Sequence, residues 1–367
     1  MTNIHSTRTG IAHLPLHQGK APRWLFQRMT KLAREITLIL AEEYGPGEIT
    51  QRLSDPFWFQ ALGCVLGYDW HSSGVTTVVC GALKEGVKGL EHELGLFIAG
   101  GKGRASRRTP AQIEEAGPAL QVDPASLVYA SRMAAKVDTS ALQDGYQLYH
   151  HTFFFTACGN WAVVQQGMNE SNRYARRYHW LGEKVADFVS EPHAAICSQT
   201  RGKVLNLVAW ESTPARDTIA KIVTEEKPEK ISAELSHLKT LDLPSRHSIE
   251  LRDINPKRLD RILLSSYERH PENFEALLGL EGVGPKTIRA LSLVAELVYG
   301  IPISHQDPAR YSFAHGGKDG IPYPVDRETY DGTIEYLSRV VNRTRMGEEE
   351  KRQSLSRLRL LHTRTTA

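Results

Sequence analysis

Apolar residues recur at three- and four-residue steps over residues 22–44, the spacing of an amphipathic helix. Further along, short apolar runs rich in β-branched and aromatic residues are bounded by Gly, Asn or Ser and predict strands. These runs are residues 74–83, 94–100, 149–157, 161–168 and 203–210. The third and fourth flank a turn at 158–160, which predicts a β-hairpin. From residue 255 onward the spacing is helical again.

The amino-acid composition of the chain changes near residue 214. All six tryptophans and all four cysteines precede residue 214. We therefore predict an α+β N-terminal domain with a mostly antiparallel or mixed sheet, followed by an all-α C-terminal domain. A charged, proline-interrupted stretch between them predicts a helical connector. The predicted boundaries are 1–213 for the α+β domain, 214–250 for the connector, 251–345 for the helical domain and 346–367 for a basic, only partly ordered tail.

The most informative string is FEALLGLEGVGPKTIRALSLVAELVY, residues 274–299. Its pattern predicts a short helix, a tight turn at 281–284 and a second helix from Pro285, where proline is well tolerated. The string resembles a helix-hairpin-helix motif. That resemblance implies a turn whose amides, with the N-terminus of the second helix, hold a DNA phosphate without reading sequence. The implied contacts are Gly282, Val283, Gly284, Lys286 and Thr287.

A second resemblance concerns chemistry. DNA glycosylases of the helix-hairpin-helix superfamily follow the motif with a catalytic aspartate in a string like PVDTH, and their bifunctional members carry a lysine where Lys286 stands. The resemblance implies Lys286 as an amine nucleophile that forms a Schiff base with the sugar, assisted by an aspartate. Asp307 lies at nearly the right distance in a poorer string (HQDPAR), and Asp326 lies later in a better one (PVDR).

Two basic segments suit contacts with a nucleic acid. Residues 100–109 (GGKGRASRRT) contain four cations and no acid after an apolar run, which favours a phosphate-contacting loop. Residues 173–180 (RYARRYHW) place cations beside aromatics, a combination that can hold the backbone and stack an unpaired base. The candidate contacts in these segments are Lys102, Arg104, Arg107, Arg108, Arg176 and Arg177.

The sequence also offers a second candidate for the active site. Asp138, with polar residues on the predicted hairpin, is faintly similar to metal-dependent nucleases, which would require Mg²⁺. The chain has no HExxH pair and no CxxC pair, so we predict no structural zinc. Three hypotheses remain: a DNA-repair glycosylase/lyase, a nuclease with its active site in the N-terminal domain, and a non-catalytic DNA-binding scaffold.

Charge and hydropathy exclude some classes of protein. The 367 residues are 41% hydrophobic and carry 45 basic against 42 acidic side chains, a net charge of +3. These values exclude a disordered or histone-like polycation and leave room for local basic surfaces. No apolar run approaches the ~18 residues of a membrane span. We expect a cytoplasmic protein with DNA as its partner and no membrane contact; nucleoid association and homo-oligomerisation stay open.

Taken whole, the chain resembles the uncharacterised family called domain of unknown function 763. The strings that carry the resemblance include LPLHQGKAPRWLF, LSDPFWFQALGCVLGYDWHSSGVTTVVCGALKEG, AGGKGRASRRTP, QDGYQLYHHTFFF and FAHGGKDGIPYPVDRETYD. They span nearly all of the chain. The resemblance implies no particular chemistry, so the hypotheses above depend on the motifs.

Overall fold

The computed structural model describes residues 10–11, 21–68, 73–238, 256–309, 311–313 and 327–365. Helices form on both sides of a central sheet. In chain order they are α1 Arg23–Tyr44, α2 Pro46–Ser54, α3 Pro56–Leu66, α4 Gly74–Val87, α5 Glu91–Leu94, α6 Thr109–Glu115, α7 Pro124–Lys136, α8 Thr213–Glu225, α9 Pro228–Leu238, α10 Pro256–Arg269, α11 Phe274–Gly279, α12 Pro285–Leu297, α13 Arg327–Arg343 and α14 Glu348–Thr365.

The strands build one large mixed sheet and a small two-stranded one. They are β1 Gly10–Ile11, β2 Leu96–Lys102, β3 Leu142–Gln143, β4 Gln147–Thr156, β5 Trp161–Asn169, β6 Tyr174–Leu181, β7 His193–Cys197, β8 Leu205–Asn206 and β9 Tyr311–Phe313. The large sheet has the order β1-β9-β7-β6-β5-β4-β2, and β3 pairs with β8. β2 and β4 to β7 pair antiparallel, whereas β9 pairs parallel with β1 and β7. The predicted mixed sheet and the β4–β5 hairpin are confirmed.

Side chains alternate between the two faces of the sheet, and each face has its own core. Phe153 and Trp180 belong to a cluster shared with α7 and with α8 to α12. Phe154 and Val164 belong to a cluster shared with α1 to α4, α13 and α14. The first cluster joins sheet residues to helices beyond residue 256, so the apolar packing follows the sheet faces and does not divide at residue 213.

Three elements differ from the sequence prediction. Residues 74–83 form helix α4 rather than a strand, because Val75, Val79 and Leu83 recur at four-residue steps on one buried face. Residues 203–210 contain only the two-residue strand β8. The part of the chain after residue 251 is not all-α, since β9 joins the large sheet.

The predicted basic tail is helical over residues 348–365. It forms helix α14, which packs on α3 with Leu358 buried and with Arg357 donating to the carbonyl of Val65 (3.4 Å). No described helix is long and apolar enough to cross a membrane.

Candidate functional site

One lysine holds the turn between α11 and α12 from inside. The Nζ of Lys136, at the end of α7, donates hydrogen bonds to the carbonyl oxygens of Leu278 (2.8 Å), Leu280 (2.7 Å) and Val283 (3.0 Å). Burial lowers the pKa of Lys136 from its ordinary value. Three carbonyls of the turn therefore face the protein interior.

The outer side of the turn carries amide groups. In a planar trans peptide the carbonyl and the following N–H point in opposite directions. The inward carbonyls of Leu280 and Val283 thus turn the N–H groups of Glu281 and Gly284 outward. Neither N–H donates a backbone hydrogen bond within the described residues. Gly284 is extended (φ −148°), and an added Cβ would meet nothing within 4 Å. The turn therefore offers N–H groups toward solvent.

The predicted contacts of the turn divide between surface and core. Lys286 is exposed on the first turn of α12, and Gly282, with φ at 85°, is exposed as well. That φ favours glycine. Val283 and Thr287 are buried, at 3% and 4% exposure. The Thr287 side chain is therefore not part of the exposed surface, whereas Val283 anchors the turn in the core.

Replacing Lys136 with methionine should lower the free energy of unfolding by about 2 kcal/mol, because three partly buried carbonyls lose their donor. Urea denaturation would measure the change. Lys221→Met, on the exposed face of α8, is the matched control and should change stability by less than about 0.5 kcal/mol. Equal effects of the two substitutions would contradict the role of Lys136.

The basic segment after β2 forms a short 3₁₀ turn, Gly103–Arg108. Lys102, Arg104, Arg107 and Arg108 are all exposed, and their contact with a nucleic acid stays a prediction. The Nζ of Lys84 donates to the carbonyl of Gly100 (2.9 Å) and ties the start of this segment to α4. The arrangement concentrates four cations on a fixed backbone, which is suitable for an anionic chain.

The start of α12 is held by β3, and the basic turn follows β2. Gln143 donates to the carbonyl of Pro285 (2.9 Å) and accepts from the Nε of Arg289 (2.7 Å), so it is in contact with the start of α12. Lys102 pairs with His150, seven residues after Gln143. Seven residues span at most roughly 25 Å.

Arg176 and Arg177 are not at the surface, which corrects their prediction as DNA contacts. They are 1% and 0% exposed on β6 and point to opposite faces of the sheet. Arg176 contacts Asp144 (2.9 Å) and Asp307 (2.7 Å), and these carboxylates outweigh burial and raise its pKa. Arg177 donates to Gln60 (3.0 Å). Both guanidinium groups are thus engaged inside the protein.

The position of Asp307 weakens its assignment as the aspartate that assists Lys286. Its side chain is 3% exposed, and its Oδ2 accepts from Arg176 (2.7 Å) and from the backbone of Gly202 (2.9 Å). A carboxylate held this way structures the protein interior and does not line an open pocket for a nucleotide. Asp326 lies outside the described residues.

Asp138 is buried in a chain of hydrogen bonds. A π-helical turn, Val137–Ala141, extends α7 and directs Asp138 into the core. Its Oδ2 accepts from Gln165 (2.6 Å) and Trp180 (3.0 Å), and its Oδ1 contacts His193 Nε2 (2.5 Å). The Oε1 of Gln165 contacts the Nδ1 of His151 (2.7 Å). Asp138 therefore positions His193, and no group of three metal-ligating residues occurs in the described part of the chain.

Comparison with known proteins identifies a family. The family model described as "Protein of unknown function (DUF763)" matches residues 10–325. The chain belongs to this family. That result confirms the resemblance seen in the sequence strings. No curated protein and no solved structure matches the chain.

Two groups in this DUF763 chain were missed by sequence reasoning. The sequence pattern gives no role to Lys136, which hydrogen-bonds to a turn more than 140 residues away. His193 was not singled out, since its partner Asp138 is 55 residues earlier in the chain. Only weak signals existed: a lysine at a helix C-terminus and a histidine before an apolar run, HAAIC.

Proposed function

We propose that the protein binds the backbone of duplex DNA, with the α11–α12 turn acting as a helix-hairpin-helix. The supporting observation is the geometry of the turn. The Nζ of Lys136 donates to three carbonyl oxygens on its inner side, and the N–H groups of Glu281 and Gly284 point outward. A phosphate oxygen accepts such N–H groups at the start of a helix. The exposed Lys286 adds a positive charge beside them.

The exposed cations of the Gly103–Arg108 turn form the second contact in this proposal. Since phosphate contacts position a protein without reading bases, we expect binding that depends on salt and is nearly uniform across sequences. The proposal assigns binding and no reaction, and a role in DNA repair stays a prediction.

Gly284→Asp tests the turn. Its backbone is extended and its Cβ position is open, so the aspartate fits the fold but places a carboxylate against the site of the phosphate. Affinity for a short duplex, followed by fluorescence anisotropy across a salt series, should fall roughly tenfold or more, and the salt slope should shrink by about 1.

Gly347→Asp is the matched control, because this glycine also has open space at its Cβ position and precedes α14, away from the turn. Both variants change net charge equally. In the same assay, Arg104→Gln with Arg107→Gln should weaken binding and reduce the salt slope. If Gly284→Asp and Gly347→Asp bind duplex DNA alike, the turn does not contact DNA.

A further inference from the structure

Helix α10 lies directly beside the α11–α12 turn. A Cβ atom added to Gly282 of the turn would lie 3.4 Å from the Cγ1 of Ile262 on α10, which is a close van der Waals contact. Ile262 is half-buried, whereas Leu259, Leu263 and Ser266 form the buried face of the helix. The turn is therefore in contact with α10 at the edge where its buried face meets solvent.

A stripe of residues on α10 passes through this contact. In an α-helix, positions i, i+4, i+7 and i+11 lie on one face. The residues of α10 with this spacing, called the α10 stripe below, are Arg258, Ile262, Ser265 and Arg269. Both arginines are exposed, one four residues before Ile262 and the other seven residues after it. Two cations therefore bracket the turn along the helix.

The charges of α10 are distributed unevenly around its axis. The helix has four cations and two acids, which are Lys257, Arg258, Arg261, Arg269, Asp260 and Glu268. The Oδ1 of Asp260 accepts a hydrogen bond from the Oγ of Ser232 on α9 (2.5 Å), almost opposite Ile262. Glu268 lies about 100° around the helix from Arg269. The α10 stripe therefore carries positive charge and no carboxylate.

The length of the α10 stripe corresponds to several phosphates of one DNA strand. Arg269 follows Arg258 by eleven residues, and at 1.5 Å per residue these span roughly 16 Å. A strand of B-DNA carries one phosphate per roughly 3.4 Å of its axis, so the stripe is as long as about five phosphates. The guanidinium fork of arginine holds a phosphate through two parallel N–H groups. The two arginines thus have the chemistry and the spacing to contact separate phosphates.

We propose that the α10 stripe forms a flank of the DNA-binding surface, with Arg258 and Arg269 binding phosphates on either side of the one held by the α11–α12 turn. The strand then lies along α10, and the turn contacts it between the two arginines. These contacts rest on the proposed binding of duplex DNA and add to it the direction of the strand.

Arg258→Gln with Arg269→Gln tests the stripe, since both side chains are exposed and the variant should fold. In fluorescence anisotropy with a short duplex across a salt series, affinity should fall roughly tenfold and the salt slope should shrink by about 2. Arg23→Gln with Arg28→Gln is the matched control, because both arginines are exposed on α1, which packs on the other face of the sheet. The control changes net charge equally and should keep the wild-type slope.

The two single substitutions test the position of the turn between the arginines. Each should reduce the salt slope by about 1, because sites more than roughly 10 Å apart act independently. A reduction in only one of Arg258→Gln and Arg269→Gln would overturn the bracketing of the turn.

The α10 stripe and the turn give distinguishable failures. If the double variant of α10 binds like the α1 control while Gly284→Asp binds weakly, the α10 contacts are refuted and the turn proposal stands. If the double variant binds weakly while Gly284→Asp binds like wild type, the turn proposal fails and the α10 stripe holds the backbone without it.

Discussion

Replacing Arg176 with methionine should lower the free energy of unfolding by about 3–5 kcal/mol, because it leaves two buried carboxylates without their cation. Asp144 and Asp307 are 1% and 3% exposed and both contact the guanidinium. Methionine fills a similar volume, so lost charge pairing dominates over cavity formation. Urea denaturation at neutral pH would measure the loss.

Two further variants isolate the charge effect. Arg173→Met changes an exposed arginine just before β6 and should alter stability by less than about 0.5 kcal/mol. Adding Asp144→Asn and Asp307→Asn to Arg176→Met should restore part of the stability, since the uncompensated charges are then gone. If the triple variant has a lower free energy of unfolding than Arg176→Met alone, the two carboxylates stabilise the fold through their other hydrogen bonds.

The failure to predict these arginines from the sequence has a clear physical reason. Side chains alternate along β6, so Arg176 and Arg177 lie on opposite faces of the sheet. If one face of the strand were exposed, one of these two side chains would lie in solvent. Here helices cover both faces. The partner of Arg176, Asp307, is 131 residues away and reaches the strand only through the tertiary fold. A local pattern cannot show such a pairing.

The sequence correctly predicted the elements in which local propensity and tertiary packing favour the same secondary structure. The β4–β5 hairpin has alternating strands and a Cys-Gly-Asn turn, and helix α1 has a regular apolar stripe. Helix α4 was predicted as a strand because valine and threonine favour strands, yet burial at four-residue steps decided its conformation. For the candidate site, the sequence located the α11–α12 turn but not Lys136, which holds it.

Acidification from pH 7 to pH 4.5 should lower the free energy of unfolding by about 3 kcal/mol through His150 alone. Burial, with His151 and Lys102 nearby, lowers the pKa of His150 to about 3. An unfolded histidine has a pKa near 6.5. The unfolded state therefore binds the proton first, and stability present above pH 6.5 is lost as the pH falls toward 3.

Two other buried histidines act in the same direction. Burial lowers the pKa of His151 despite its hydrogen bond to Gln165 and the nearby Asp138. Burial and the charge of Arg177 lower the pKa of His179 well below its ordinary value. Both side chains therefore bind a proton more weakly in the fold than in the unfolded chain, and their protonation on unfolding adds to the loss at low pH.

Urea denaturation at several pH values, on wild type and two variants, separates the histidines from other acid effects. His150→Gln removes one titrating group and should flatten the dependence between pH 6.5 and 4.5. His92→Gln, at an exposed position of α5, should leave the wild-type slope. Equal slopes for wild type and His150→Gln would mean that His150 binds its proton as readily in the folded protein as in the unfolded chain, and would contradict the lowered pKa.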